Sequence, residues 1–338
     1  MDMNMRCSIS ILLYMTLFLS VSFAQHPTTD PNWQVVFQDD FSSFNDSIWY
    51  KEYAPHAIGK PDEGLTFNLP ANAFILLGKL YIVTKHEQAP TCATNCIYNG
   101  NHQYTSATIT SNAEYPYGYF EIYTKLPSSS GYWPGFWLWA FDENTCCYNE
   151  IDILEALGRD PYTVISNVHW DFSCPLDEQT SDDAYHFIPQ RYDNYFHWYG
   201  VEWDSTSITW YIDRAPVRKV KNNYGGAGIQ HDMHISIDVY LSNWGEDIVN
   251  STTIFPNHMQ IDDVNVYRLK CDCTTSIVEI PNFSVYQYGV KKSISLSGVT
   301  HLPSGGNICL RAKDWIELTN GFEVPLGTEF FADVNPCK

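Results

Sequence analysis

Positive charge is scarce in this chain. Its 338 residues carry 19 lysines and arginines against 39 acids, for a net charge of −20, and almost all of that excess lies before residue 271. A chain so acidic has no electrostatic footprint for nucleic acid, which is therefore not an expected partner. The same field repels any densely anionic polymer, so a neutral partner fits better than an anionic one. Long apolar runs are also missing after the first 24 residues, and no later segment reaches the ~20 apolar residues of a membrane span. Sustained 3.6-residue periodicity is absent too, which excludes a helical bundle.

The chain opens with Met1 to Ala24, where Ile9 to Val21 is mostly apolar and Ser22-Phe23-Ala24 supplies small residues at a cleavage site. That is the pattern of a secretory signal peptide, and the mature protein is expected to be secreted or at the cell surface. Of ten cysteines, at positions 7, 92, 96, 146, 147, 174, 271, 273, 309 and 337, the nine after Cys7 lie in the mature chain and then belong to an oxidising compartment. Candidate pairings are Cys92 with Cys96, Cys146 or Cys147 with Cys174, and the last four among themselves. A zinc site on Cys271-x-Cys273 lacks the histidine or second cysteine pair that tetrahedral spacing requires.

From Trp33 to Leu269 short runs of aromatic and β-branched residues alternate with Gly, Pro, Asn and Asp. This pattern predicts an all-β domain, two stacked sheets of jelly-roll type spanning residues 25–270. Strands are expected at 79–85, 104–111, 117–126, 133–141, 164–170, 198–203, 207–213, 234–241 and 259–268. Composition shifts after Arg268, and residues 271–338 read as a small β module stapled by cysteines. The chain is expected to act as a monomer.

The candidate chemistry lies in Glu150-Ile-Asp-Ile-Leu-Glu155. On a strand, alternation puts Glu150 and Asp152 on one face and Ile151 and Ile153 in the core. Strict counting would bury Glu155 with the isoleucines, at a cost of several kcal/mol. A β-bulge near Ile153-Leu154 instead returns Glu155 to the face of Glu150. Two carboxyls of unlike pKa on one face suit glycosidic cleavage, with Glu150 as nucleophile, Glu155 as general acid/base and Asp152 hydrogen-bonded to the nucleophile. Upstream, alternation places Trp133, Trp137 and Trp139 on a common face unless Pro134-Gly135 disturbs the register. Trp133 and Trp137 are candidates for stacking on sugar rings, and His169 for hydrogen bonding to a carboxylate or a sugar hydroxyl.

These motifs resemble family 16 of the glycoside hydrolases, together with Tyr117-Gly-Tyr-Phe-Glu-Ile, Tyr132-Trp-Pro-Gly-Phe-Trp and Met259-Gln-Ile-Asp-Asp-Val. The resemblance implies a concanavalin-like β-jelly-roll and a retaining endo-glycosidase with Glu150, Asp152 and Glu155 in the roles above. It implies no required cofactor, although Asp262 falls where the family often binds a structural calcium. The bulged signature is similar to that of laminarinases, agarases and carrageenases. Trp-Pro-Gly-Phe-Trp is nearest the laminarinase type, which makes β-1,3- or mixed-linkage glucan the expected substrate. A galactan hydrolase of agarase, porphyranase or carrageenase type is the alternative, and a non-catalytic carbohydrate-binding protein a second. The chain departs from laminarinases in its short Cys146-Cys147 connection and in Asp238-Val-Tyr-Leu-Ser-Asn-Trp. The tail from Ile294 resembles small β modules of secreted Bacteroidetes proteins, which implies a sorting or surface-attachment role.

Overall fold

The computed structural model describes residues 26–55, 65–90, 102–142, 147–171, 180–226, 228–241, 247–280, 290–302, 307–326 and 328–334. The expected signal segment and the cysteine pairings fall outside the described residues or side chains. Among the described residues no helix is long and apolar enough to cross a membrane.

Two sheets, antiparallel except where Thr66–Asn68 pairs with Tyr104–Ser106, stack face to face, as the strand pattern predicts. The eight-stranded sheet runs, edge to edge, through Thr180–Ser181, Thr163–Asp171, Cys147–Glu155, Tyr132–Asp142, His234–Leu241, Thr108–Ser111 and Trp49–Lys51, with Ala184–Phe187 also pairing Thr163–Asp171. The eleven-stranded sheet is centred on Gly118–Lys125 and Asn257–Leu269, flanked by His197–Trp203 on one side and Lys79–His86 on the other. Each strand alternates, and the inward residues meet in one apolar core. Phe120, Ile122, Val201, Val264 and Val266 enter it from the larger sheet, and Phe136, Leu138, Ile151, Val168, Ile235 and Ile237 from the smaller. Burying one such side chain contributes about 1.5–3 kcal/mol, so the alternation fixes the register of every long strand.

One expected strand is two. The run predicted over 104–111 breaks at buried Ala107, with Tyr104–Ser106 pairing in the larger sheet and Thr108–Ser111 in the smaller. Residues 105–111 are all buried, so no alternation marked the place where the chain crosses from one sheet to the other.

A third, four-stranded sheet follows, Cys271–Val278, Val290–Leu296, Asn307–Leu318 and Glu329–Val334, with every pairing parallel. It has its own small core of Ile280, Ile294, Leu296, Leu302, Leu310 and Ala312. Arg311 reaches from it to Asp204 of the sandwich at 2.7 Å.

Candidate active site

The signature strand Cys147–Glu155 sits between Tyr132–Asp142 and Thr163–Asp171. Against the first neighbour, Asp152 faces Trp137 and Leu154 faces Phe136, so Ile153 has no partner. Against the second, Asp152 faces Asn167 and Glu155 faces Ile165, the same single-residue excess. Ile153 is thus the inserted residue of a bulge. Both Ile153 and Leu154 turn into the core, and Glu155 comes round to the face of Glu150 and Asp152.

Residues directly opposite across antiparallel strands share a face, so the pairing register reads out this face in rows. One row is Tyr185, Ile165, Glu155, Gly135, Asp238 and Thr108. The next is Asn167, Asp152, Trp137, Ser236, Thr110 and Tyr50. A third holds Ser181, His169, Glu150, Trp139 and His234. Gly135 leaves a gap between the two carboxyls of the first row. A Cβ there would stand 2.9 Å from Asp238 Oδ1.

Trp133, Trp137 and Trp139 are half-buried on this face, because the register with His234–Leu241 runs unbroken through Pro134-Gly135. Each indole N–H is committed. Trp133 donates to Glu155 Oε1 at 2.8 Å, Trp137 to Asp238 Oδ2 at 2.7 Å and Trp139 to Ser236 Oγ at 2.8 Å. The Tyr148 hydroxyl donates to Glu150 Oε2, and beneath the strand Trp210 donates to the backbone carbonyl of Asp152 at 2.9 Å.

His169 Nε2 lies 3.6 Å from Glu150 Oε1 and 3.4 Å from Asp152 Oδ2. The Asn167 amide oxygen accepts from the Val168 N–H at 2.9 Å, which turns its nitrogen toward His169 Nε2 at 2.8 Å. Nε2 is therefore an acceptor and the ring proton sits on Nδ1. Burial lowers the His169 pKa to about 4 despite the charge of Asp183. At neutral pH the ring adds no positive charge to the carboxyls beside it.

The carboxyls are pushed the other way. Burial first, then Glu155, raises Glu150 to about 8, while a hydrogen bond from Asp152 pulls it partly back. Burial and then Asp183 raise Glu155 to about 7 against hydrogen bonds from Trp133 and Asn167. Asp152 rises well above the usual range through burial and the charges of Glu150 and Glu155. The three cannot all ionise together near neutrality, and Asp152 is the member that keeps its proton and donates it to Glu150. Asp152 Oδ2 and Glu155 Oε2 have no hydrogen-bond partner among the described residues.

The structure brings together Glu150, Asp152, Glu155, His169, Trp133 and Trp137. Sequence reasoning did not assign Asp238, Asn167 or Tyr148 to the site. Asp238 is buried, and burial above all raises its pKa well beyond the usual range. Asp262, the expected calcium ligand, is ion-paired with Lys79. That ammonium stands where a cation would bind, so these residues as arranged do not fit a calcium site. Glu150, Asp152 and His169 converge closely enough to hold a metal ion, but their hydrogen bonds already account for the cluster.

Residues 63–264 match the family described as Glycosyl hydrolases family 16. The catalytic domain of an endo-1,3-beta-glucanase (laminarinase) from Thermotoga petrophila superposes with a TM-score of 0.61 at 29% identity, covering 70% of this chain and 98% of that one. A beta-glucanase of Rhodothermus marinus is 28% identical over 70% of this chain and 86% of its own length. Glucan endo-1,3-beta-glucosidase A1 of Niallia circulans is 26% identical over 71% of this chain. The chain spans 39% of that relative's length, and some other curated relatives are likewise much longer. With the family matched across most of the sandwich and its bulged acidic strand inside the smaller sheet, the chain belongs to glycosyl hydrolase family 16.

Proposed function

We propose that the protein is a secreted retaining endo-glycosidase that hydrolyses β-1,3- or mixed-linkage β-glucan at the Glu150–Glu155 strand. The observation that carries this reading is the Ile153 bulge, which sets the two carboxyls on one sheet face beside half-buried tryptophans. The two coupled carboxyls share one proton near neutrality, and in the form that reacts Glu155 carries it and gives it to the glycosidic oxygen while ionised Glu150 attacks the anomeric carbon. The C–O bond breaks, the leaving sugar departs with that proton, and a glycosyl ester remains on Glu150. Glu155, now a carboxylate, takes a proton from water, and the resulting hydroxide displaces Glu150 with net retention. Asp152, raised by burial and by its carboxyl neighbours, holds the Glu150 carboxylate by its hydrogen bond.

A neutral substrate is supported by the charges these groups feel. Besides one another, the charged neighbours acting on Glu150, Asp152 and Glu155 are Asp238 and Asp183, both acids. A sulfate entering this row meets like charge in a site of low dielectric, which costs several kcal/mol. Export rests on the apolar leader, and the parallel C-terminal sheet is assigned to surface attachment or sorting.

Wild type and Glu150→Ala, offered laminarin, mixed-linkage glucan, agarose and carrageenan side by side, test the reading. Wild type is expected to release oligosaccharides from the glucans, with the new reducing ends first appearing as the β-anomer by NMR, and Glu150→Ala from none. Activity retained in Glu150→Ala refutes the nucleophile. Release from carrageenan alone refutes the argument from charge.

A further inference from the structure

On the side of the catalytic strand away from the tryptophans, the first row of the site runs out through Ile165 to Tyr185 on the edge strand Ala184–Phe187. Ile165 is buried under the row, whereas Tyr185 is 59% exposed. Phe187, two residues on and therefore on the same face, pairs with Thr163 and is 76% exposed. Two large aromatic rings left uncovered beside one another are unusual on a sheet face that has no structural partner. Phe187 is not loose, because it stacks on Tyr162 at 6.1 Å with the planes 17° apart, and the Arg191 guanidinium lies 5.7 Å from the Tyr162 ring. Tyr185 stands two strand spacings from Glu155, about 9–10 Å between backbones. Its hydroxyl feels burial first, then Asp183 and Glu155, so the ring is within electrostatic reach of the acid.

We infer that Tyr185 and Phe187 form the platform on which the sugars of the leaving group stack. This rests on the reading of Glu155 as the proton donor. The donor must stand at the leaving oxygen, and the aromatic edge lies in line with Glu155, while the strand position in line with Glu150 is the small Ser181. The opposite flank is already furnished by Trp133, Trp137 and Asp238. Exposed aromatic faces match the C–H surface of pyranose rings, and a spacing of two residues, roughly 7 Å, suits successive sugars of one strand of polymer.

The inference separates substrates by their leaving group. Laminarin has sugars to lay on the platform, and p-nitrophenyl β-laminaritrioside, whose leaving group is the phenol, has none. In Tyr185→Ala and Phe187→Ala, kcat/KM on laminarin is expected to fall about tenfold each, while kcat/KM on the aryl substrate stays within about twofold. Tyr185→Phe, which keeps the ring, is expected to restore the laminarin rate. Unchanged laminarin hydrolysis, or an equal fall on both substrates, overturns the platform and leaves the catalytic assignment standing. If Glu150→Ala fails to silence the aryl substrate, the site itself is misassigned and the platform falls with it.

Discussion

Replacing Glu155 by glutamine should stabilise the protein at alkaline pH while removing its activity. Glu155 is 6% exposed, and its pKa stands at about 7 against an ordinary 4.5. The unfolded chain releases this proton near pH 4.5 and the folded chain holds it until about pH 7. Between those values the folded state binds more protons, so stability falls as pH rises. At about 1.4 kcal/mol per unit, the ionised carboxyl costs the fold about 3 kcal/mol above pH 7. Glutamine never ionises, and its carbonyl still accepts the Trp133 N–H that now reaches Oε1 at 2.8 Å. The variant should match wild type at pH 4 and exceed it by about 3 kcal/mol at pH 8, roughly 6–12 °C in Tm for a domain of this size. Differential scanning calorimetry at pH 4, 6 and 8 reads this directly. Polysaccharide hydrolysis should drop by about 10²–10⁴-fold, the usual contribution of a positioned acid. An equal Tm difference at pH 4 and pH 8, or a variant less stable than wild type at pH 8, would refute the burial argument.

For wild type, kcat/KM should trace a bell, lost at low pH as the carboxyl pair takes up a second proton and at high pH as it gives up the last, with the maximum between about 7 and 8. In Glu155→Gln, titration of Glu150 seen by NMR should move to lower pH, because the charge of Glu155 is removed. Asp238→Ala strips the Trp137 N–H of its acceptor, and about a tenfold loss of kcat/KM with an unchanged circular dichroism spectrum is expected. On the other sheet, Arg214 grips fully buried Glu121 through two nitrogens at 3.0 and 3.2 Å. Urea denaturation of Arg214→Ala should show a loss of about 1.5–3 kcal/mol, the range for a hydrogen bond to a charged group, with KM unaltered.

The strands and the acidic signature were legible because they depend on local spacing. Ile235, Ile237 and Val239 alternate with Ser236, Asp238 and Tyr240, and that alone gives a strand with one apolar face. The bulge was legible for a different reason. A buried Glu155 without a partner is too costly, so only an inserted residue reconciles the carboxyl with its strand. What local spacing withholds is which strands are neighbours. Asp238 lies 83 positions after Glu155 in the chain but one residue away across the sheet, through Gly135. Its place on the polar side of a strand was visible, and its place beside Glu155 was not. Tyr148 could have been found, since it stands two residues before Glu150 on the same face. The split at Ala107 had no signal at all, because both sides of that segment are covered.

The way the site tolerates its carboxyls also bears on what it can do. Buried acids are commonly paired with an arginine, as Glu121 is with Arg214 on the opposite sheet. Around Glu150, Asp152 and Glu155 the sheet supplies neutral donors instead, namely the Trp133 indole, the Tyr148 hydroxyl and the Asn167 amide. The neighbouring imidazole is kept neutral by its own burial. A cation would fix the charge of these groups and pull their pKa values down, leaving no proton to deliver at neutral pH. Neutral donors orient the carboxyls without fixing their charge, so burial sets their pKa values near the pH at which a proton must be given and then taken back. The arrangement costs stability in the ionised state, and in the proposed mechanism that same cost keeps a proton on the pair until a glycosidic oxygen arrives to accept it.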